Sequence, residues 1–415
     1  MGKMRIICFV SNLLLRNYFL LMVCSAIFII ATGNGYIESI ILPLIIYVVS
    51  MSGSKRNGNF DFLIYFILLW TIVTWIANDY DQKNLLVFRS MMAQTCYIFA
   101  YFIGRDFDLK YYIDILEKAY WPFIICCCLG ILFYFFPPGW YLDSAISNSG
   151  GDLNGSLFLE YFRLRSIFGH TYYMAYFCAF EGIYIIHKII IKEEKGIRLK
   201  ISLVIIIPTA VLAMMRAPFV CFIASMFFLY LYSSYLKKSI LPLFKLIGIL
   251  IILTFVGLFL YSQLDSEQKL FLEEKIISVT DNSKEIIEER NDSERDYGFW
   301  GEGVGKHASY VDKISKNEVE ADSEYRKILV EYGYFGLILF LLLLGLTLFK
   351  CILNLEDLSL EACYIMMMFV TMIGADPLST GNKHCLLIYM IIGYVSAYKK
   401  RYYPNRSLAM LNKND

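Results

Sequence analysis

Three arginines and two carboxylates carry most of the chemistry this sequence can do. Arg163, Arg165 and Arg216 stand where apolar blocks end, at what the charge pattern below assigns as the outer face of a membrane. Lysine and arginine collect on the inner side of membrane proteins, and a charge at bilayer depth costs ~2.5–3.5 kcal/mol on insertion scales. Arginine kept at an outer helix end therefore asks for an anionic partner. A diphosphate suits it, because the planar guanidinium fork takes phosphate oxygens in pairs. Arg216 is the sharpest case: it lies in Ala213-Met214-Met215-Arg216-Ala217-Pro218, between two apolar blocks with almost no loop. Arg163 and Arg165 precede Ser166-Ile167-Phe168-Gly169-His170, where Gly169 would let backbone approach a ligand. The bland reading of each arginine is a side chain snorkelling to the interface.

Asp322 and Glu324 open the segment Ala321 to Gly333, which runs straight into an apolar block. If that segment is helical, Asp322 and Arg326 share a face at i,i+4, as do Lys327 and Glu331. The bland expectation is exposed ion pairs at a helix start, which contribute little. The functional expectation is a carboxylate held at the mouth of a helix bundle, as a general base toward a hydroxyl. Just upstream, Gly301-Glu302-Gly303-Val304-Gly305 places glycines on alternate residues. No Lys-Ser/Thr follows and no strand–helix unit surrounds it, so a turn is expected, not a nucleotide-binding loop. The four histidines, His170, His187, His307 and His384, are too dispersed for a metal site, and no cofactor is expected.

These residues must be positioned by membrane helices. The chain has 415 residues, of which 58% are hydrophobic, more than a soluble domain carries. Twelve apolar blocks can be marked, at about 17–32, 36–51, 60–77, 85–103, 119–137, 168–187, 200–215, 217–236, 240–261, 329–349, 360–375 and 384–398. The expected fold is all-α: a polytopic membrane helix bundle of about 12 spans, with one large periplasmic loop carrying short helices. The basic start, Lys3 and Arg5, leads into an uncleaved first span interrupted by Arg16. With both termini inside, the inner segments hold 22 lysines and arginines and the short outer loops and helix ends only six. The division is then 1–261 for spans 1–9, including a turn-rich outer loop at 138–167; 262–328 for the large outer loop; and 329–415 for spans 10–12 and a tail. Leu270, Ile276, Ile277, Ile286 and Ile287 have helical spacing within the large loop. A net charge of +1 gives no footprint for nucleic acid. The eleven cysteines lie in or beside apolar blocks and read as small apolar fillers.

Taken in order, the motifs resemble those of the O-antigen polymerase and ligase family of bacterial envelopes. They are Arg165-Ser166-Ile167-Phe168-Gly169-His170, Met215-Arg216-Ala217, Gly301 to Gly305, Asp322-Ser323-Glu324-Tyr325, and Glu331-Tyr332-Gly333-Tyr334-Phe335-Gly336-Leu337. The resemblance implies an inner-membrane glycosyltransferase acting at the periplasmic face on undecaprenyl-diphosphate-linked oligosaccharides. It implies no metal or nucleotide sugar, and a polysaccharide chain-length regulator as partner. Carried over by position, Arg165 and Arg216 would hold the leaving diphosphate, with Arg163 or Arg295 helping. His170 and Tyr325 belong to the matched motifs as substrate-binding positions. The ligases tend to carry His where this chain has Asp322, so Asp322, or failing it Glu324, is the expected acid/base of a polymerase. The usual serine before the junction arginine is Met215 here. A ligase of the same family, and a transporter or flippase for an anionic lipid-linked sugar, stand as alternatives.

Overall fold

The computed structural model describes residues 2–32, 37–53, 55–77, 84–107, 110–141, 164, 166, 171–213, 216–263, 266, 269–270, 298–304, 324–374 and 385–399. Within them the chain is all-helical, without a strand. The helices are α1 (Gly2–Arg16), α2 (Tyr18–Thr32), α3 (Leu42–Ser52, entered through a π-helical turn Ile37–Ile41), α4 (Asp61–Ala77), α5 (Asn84–Asp106), α6 (Tyr111–Phe135) and α7 (Thr171–Ile190). They continue with α8 (Ile197–Leu212), α9 (Arg216–Lys237), α10 (Leu241–Gln263), α11 (Glu324–Leu353), α12 (Leu355–Gly374) and α13 (Cys385–Ala397). Each of the twelve apolar blocks coincides with one of α2 to α13. Four of these helices, α6, α9, α10 and α11, are long and apolar enough to cross a membrane, or five spans if α1 and α2 count as one bent pair. The most apolar window of α10 is only 7% buried. Phe244, Ile251, Ile252, Phe255 and Phe259 stand exposed along it, an apolar surface that belongs against hydrocarbon or another protein.

The N-terminal stretch is a helix of its own and not merely the lead-in to a span. α1 and α2 meet at an angle of 84°. Ser11 and Leu15 bury one stripe of α1, while Ile6, Phe9, Val10 and Leu13 are exposed. That amphipathic pattern is the one a helix lying along an interface requires. Arg16 fixes the bend: its Nε donates to Asn12 Oδ1 at 2.9 Å, and its guanidinium lies 3.3 Å from Asp114 of α6 and over the Tyr111 ring.

Packing at the centre is backbone-close. Gly104 of α5 lies against the Met390 carbonyl of α13, and Gly393 of α13 lies against the Tyr101 carbonyl of α5. A β-carbon at either position would overlap backbone, which is how small residues let membrane helices touch. One end of the bundle is strongly charged. There the Phe60 N–H donates to Ser396 Oγ (2.9 Å), Ser396 pairs with the Tyr101 hydroxyl (2.7 Å), and Tyr101 donates to Asp61 (2.7 Å). Arg105 closes the chain, reaching Asp61 at 3.0 Å and gripping Asp106 with two nitrogens at 2.5 and 3.0 Å. At the same end Lys110 meets Glu361 (2.6 Å), Lys188 meets Glu117 (3.3 Å), and Lys350 donates to the Ser396 carbonyl (2.8 Å). In the turn after α7, Lys237 hydrogen-bonds Glu193 and holds its carboxyl below the usual carboxylate range.

Candidate active site

The opposite end of the bundle gathers the motifs singled out in the sequence. α6 and α8 both finish there, and a short piece of chain wedges between them. Leu164 and Ser166 are fully buried. The Leu164 N–H donates to the Leu212 carbonyl at 2.9 Å, and the Ser166 hydroxyl donates to the Cys126 carbonyl of α6 at 2.6 Å. Gly130 of α6 makes room for both side chains. Ser166 sits in the left-handed region, with φ of 55°, which costs a non-glycine residue ~1–2 kcal/mol. The buried hydroxyl bond holds it there, and strain of this kind clusters at functional sites. Leu212 is the last residue of α8, and Arg216 is the first residue of α9. Leu164, the residue before Arg165, is thus tied by backbone to the end of α8, four residues before Arg216. Arg163, Arg165 and His170 themselves lie outside the described residues.

The second half of the site is a break in α11. Gly333 has φ 71° and ψ −177°, a conformation open essentially to glycine alone. It ends the helical turn run Glu324–Tyr332 and leaves carbonyls without their intrahelical partners. Each is taken by a donor from elsewhere. The Glu302 N–H bonds the Val330 carbonyl (2.6 Å) and the Gly303 N–H bonds the Glu331 carbonyl (3.2 Å). The Trp70 indole N–H of α4 bonds the Tyr332 carbonyl (2.9 Å). In return the Tyr334 N–H donates to the Gly298 carbonyl (3.4 Å). Gly301 and Gly303 of the glycine segment have positive φ, as does Gly298 before it; Gly305 lies outside the described residues. Gly301 and Gly333 press backbone to backbone, so neither tolerates a β-carbon. An aromatic cluster clamps the outside, with Trp70 stacked on Trp300 at 4.9 Å and tilted against Phe335 at 4.4 Å.

This lock buries charge. Glu324, Lys327 and Glu331 are 2%, 5% and 1% exposed. They recur at i, i+3 and i+7, one face of the helix. The expectation of exposed ion pairs at this helix start is therefore wrong for Lys327 and Glu331, which are buried. Glu324 remains as a buried carboxylate at the head of α11. Tyr325, half-buried, donates from its hydroxyl to the Phe369 carbonyl of α12 (2.9 Å). Two residues away, the Met367 carbonyl receives Cys221 Sγ of α9 at 3.6 Å. α12 thereby joins the second turn of α9 and the first turn of α11. Asp322, Arg295 and the helical spacing within 271–297 lie outside the described residues.

No local pattern announces that Trp70 and the 298–304 turn share the capping of α11, because Trp70 and Tyr332 are 262 residues apart. Glu181 is a second residue outside the sequence expectations. It is fully buried within α7, and neither carboxylate oxygen has a hydrogen-bond partner among the described residues. A lone glutamate inside an apolar block is the signal that could have found it. Among the described residues no group of three or more His, Cys, Asp or Glu side chains could hold a metal ion. Comparison of the chain with protein-family models, curated proteins and solved structures finds no match.

Proposed function

We propose that the chain is a membrane glycosyltransferase that joins lipid-diphosphate-linked oligosaccharide units into a surface polysaccharide. On this reading twelve helices cross the bacterial inner membrane, the charged end faces the cytoplasm, and the site faces the periplasm. The acceptor unit's sugar hydroxyl attacks the anomeric carbon of the donor chain. The bond from that carbon to the diphosphate oxygen breaks, the hydroxyl proton passes to Asp322 or Glu324, and undecaprenyl diphosphate leaves. Arg165 and Arg216 take up the charge that develops on the leaving oxygen, the largest single contribution a site of this kind makes.

The observation that carries this reading is the backbone tie between Leu164 and Leu212. It sets the residue before Arg165 against the end of α8, at the helix junction four residues before Arg216, which supports a shared role for the two arginines. The buried carboxylate Glu324, linked to that junction through α12, supplies the proton acceptor that the chemistry needs. The test is deletion of the gene, with gel analysis of the surface polysaccharide. A single repeat unit on the lipid core supports polymerisation. Finished polymer left on the carrier lipid would assign the chain as a ligase instead, and loss of both would assign it as a flippase.

A further inference from the structure

The charged end holds a cavity that plays no part in the proposed transfer. It measures about 830 Å³ and lies between α1, the end of α3 and the start of α6. α1 offers it one continuous stripe. Arg5 stands at one end and Arg16 at the other, with Phe9, Asn12 and Leu13 between. Eleven residues of helix set the two arginines roughly 16 Å apart along the axis. Lys118 of α6 and Ser52 of α3 face them. The lining is thus cationic at its margins and apolar along its length.

The charges do not cancel. Asp114 is the carboxylate beside them, 3.3 Å from Arg16 and 3.5 Å from Lys118. At the Arg16 end two cations share this one carboxylate among the described residues, which leaves one positive charge for a ligand to meet. Arg16 is oriented in advance by Asn12 and Asp114 and needs no reordering to bind. The exposed apolar residues Ile6, Val10 and Leu14 place α1 at the level where hydrocarbon gives way to headgroups. A ligand here must be anionic at one end and apolar at the other, and must arrive from the bilayer.

We propose that this cavity binds an anionic phospholipid, its phosphate between Arg16 and Lys118 and an acyl chain along Leu13 and Phe9. Basic recesses between membrane helices take such headgroups by charge complementarity. The site lies at the end of the bundle away from Arg216, so it stands whether or not the chain transfers glycans.

The test uses the full chain in nanodiscs of equal phosphatidylglycerol and phosphatidylcholine, with retained lipid counted by native mass spectrometry. Wild type should retain phosphatidylglycerol preferentially. Arg16→Gln/Lys118→Gln should weaken that retention roughly 30-fold, and the exposed single change Lys118→Gln about fivefold. Lys118→Arg, which keeps the charge, should behave as wild type. Thermal unfolding in phosphatidylcholine alone checks that the variants fold; if the double variant does not, Lys118→Gln decides. Equal retention of both lipids by wild type, or an unchanged preference in Lys118→Gln, overturns the proposal. Displacement of phosphatidylglycerol by added inorganic phosphate would reassign the cavity to a free anion and overturn it equally.

Discussion

Gly333→Ala tests whether the break in α11 holds the site together. The glycine adopts φ 71° and ψ −177°, where a side chain costs about 1–3 kcal/mol. Its β-carbon would also meet the Phe299 carbonyl and the Gly301 nitrogen, both backbone atoms that cannot rotate aside. The segment 298–304 must then lift. It would give up the Glu302 and Gly303 amide bonds to Val330 and Glu331, each contributing about 0.5–1.5 kcal/mol. Relief of the clash by lifting removes part of the strain, so the loss falls near 3 kcal/mol and not at the sum. At 1.36 kcal/mol per decade this is roughly a 150-fold faster opening. Hydrogen exchange of a peptide covering 298–304, followed by mass spectrometry in detergent, reads it directly. Gly345→Ala is the control: it lies in the same helix, a β-carbon there meets nothing within 4 Å, and exchange at 298–304 should not change. If Gly333→Ala leaves that exchange at the wild-type rate, the capping of α11 by the glycine turn does not stabilise the site and the reasoning fails.

Further expectations concern the charges. Arg165→Ala and Arg216→Ala should each leave the protein in the membrane but shorten or abolish polymer; normal polysaccharide ladders from both would remove the diphosphate clamp. Asp322→Asn should impair polymerisation more than Glu324→Gln, with a loss of ~10²–10⁴ in rate for the true base; the reverse order would assign the base to Glu324. Arg105→Met takes the bidentate partner from buried Asp106 and a 3.0 Å contact from Asp61. Asp106 would keep the Arg56 amide at 3.2 Å but lose its cation, and breaking a buried pair costs about 3–5 kcal/mol, so the thermal midpoint in detergent should fall clearly; an unchanged midpoint would show that the pair does not stabilise the fold.

What could be read from the sequence follows from the range of the interactions. The apolar blocks were legible because each helix buries or exposes its own residues along a continuous run, and hydropathy is a local property. The separate identity of α1 was not, because the change of direction at Arg16 and Asn17 depends on Asp114 and Tyr111, almost a hundred residues away. The i,i+4 arrangement of Lys327 and Glu331 was equally ambiguous. The same spacing serves a solvated ion pair or a buried stripe, and only the packing of the fold decides between them. Gly333 shows the intermediate case. A glycine between Tyr332 and Tyr334 at the start of an apolar run announces a helix end, yet the next residues resume a helix. The break is a stop with the chain continuing, and it persists because donors from α4 and the glycine turn replace the missing intrahelical ones. On the proposed function the consequence is specific. The turn that carries Glu331 is held by the Trp70 indole and the Glu302 and Gly303 amides, so mutation of Trp70, far in sequence from Glu324, should impair the same transfer as mutation of Glu324 itself.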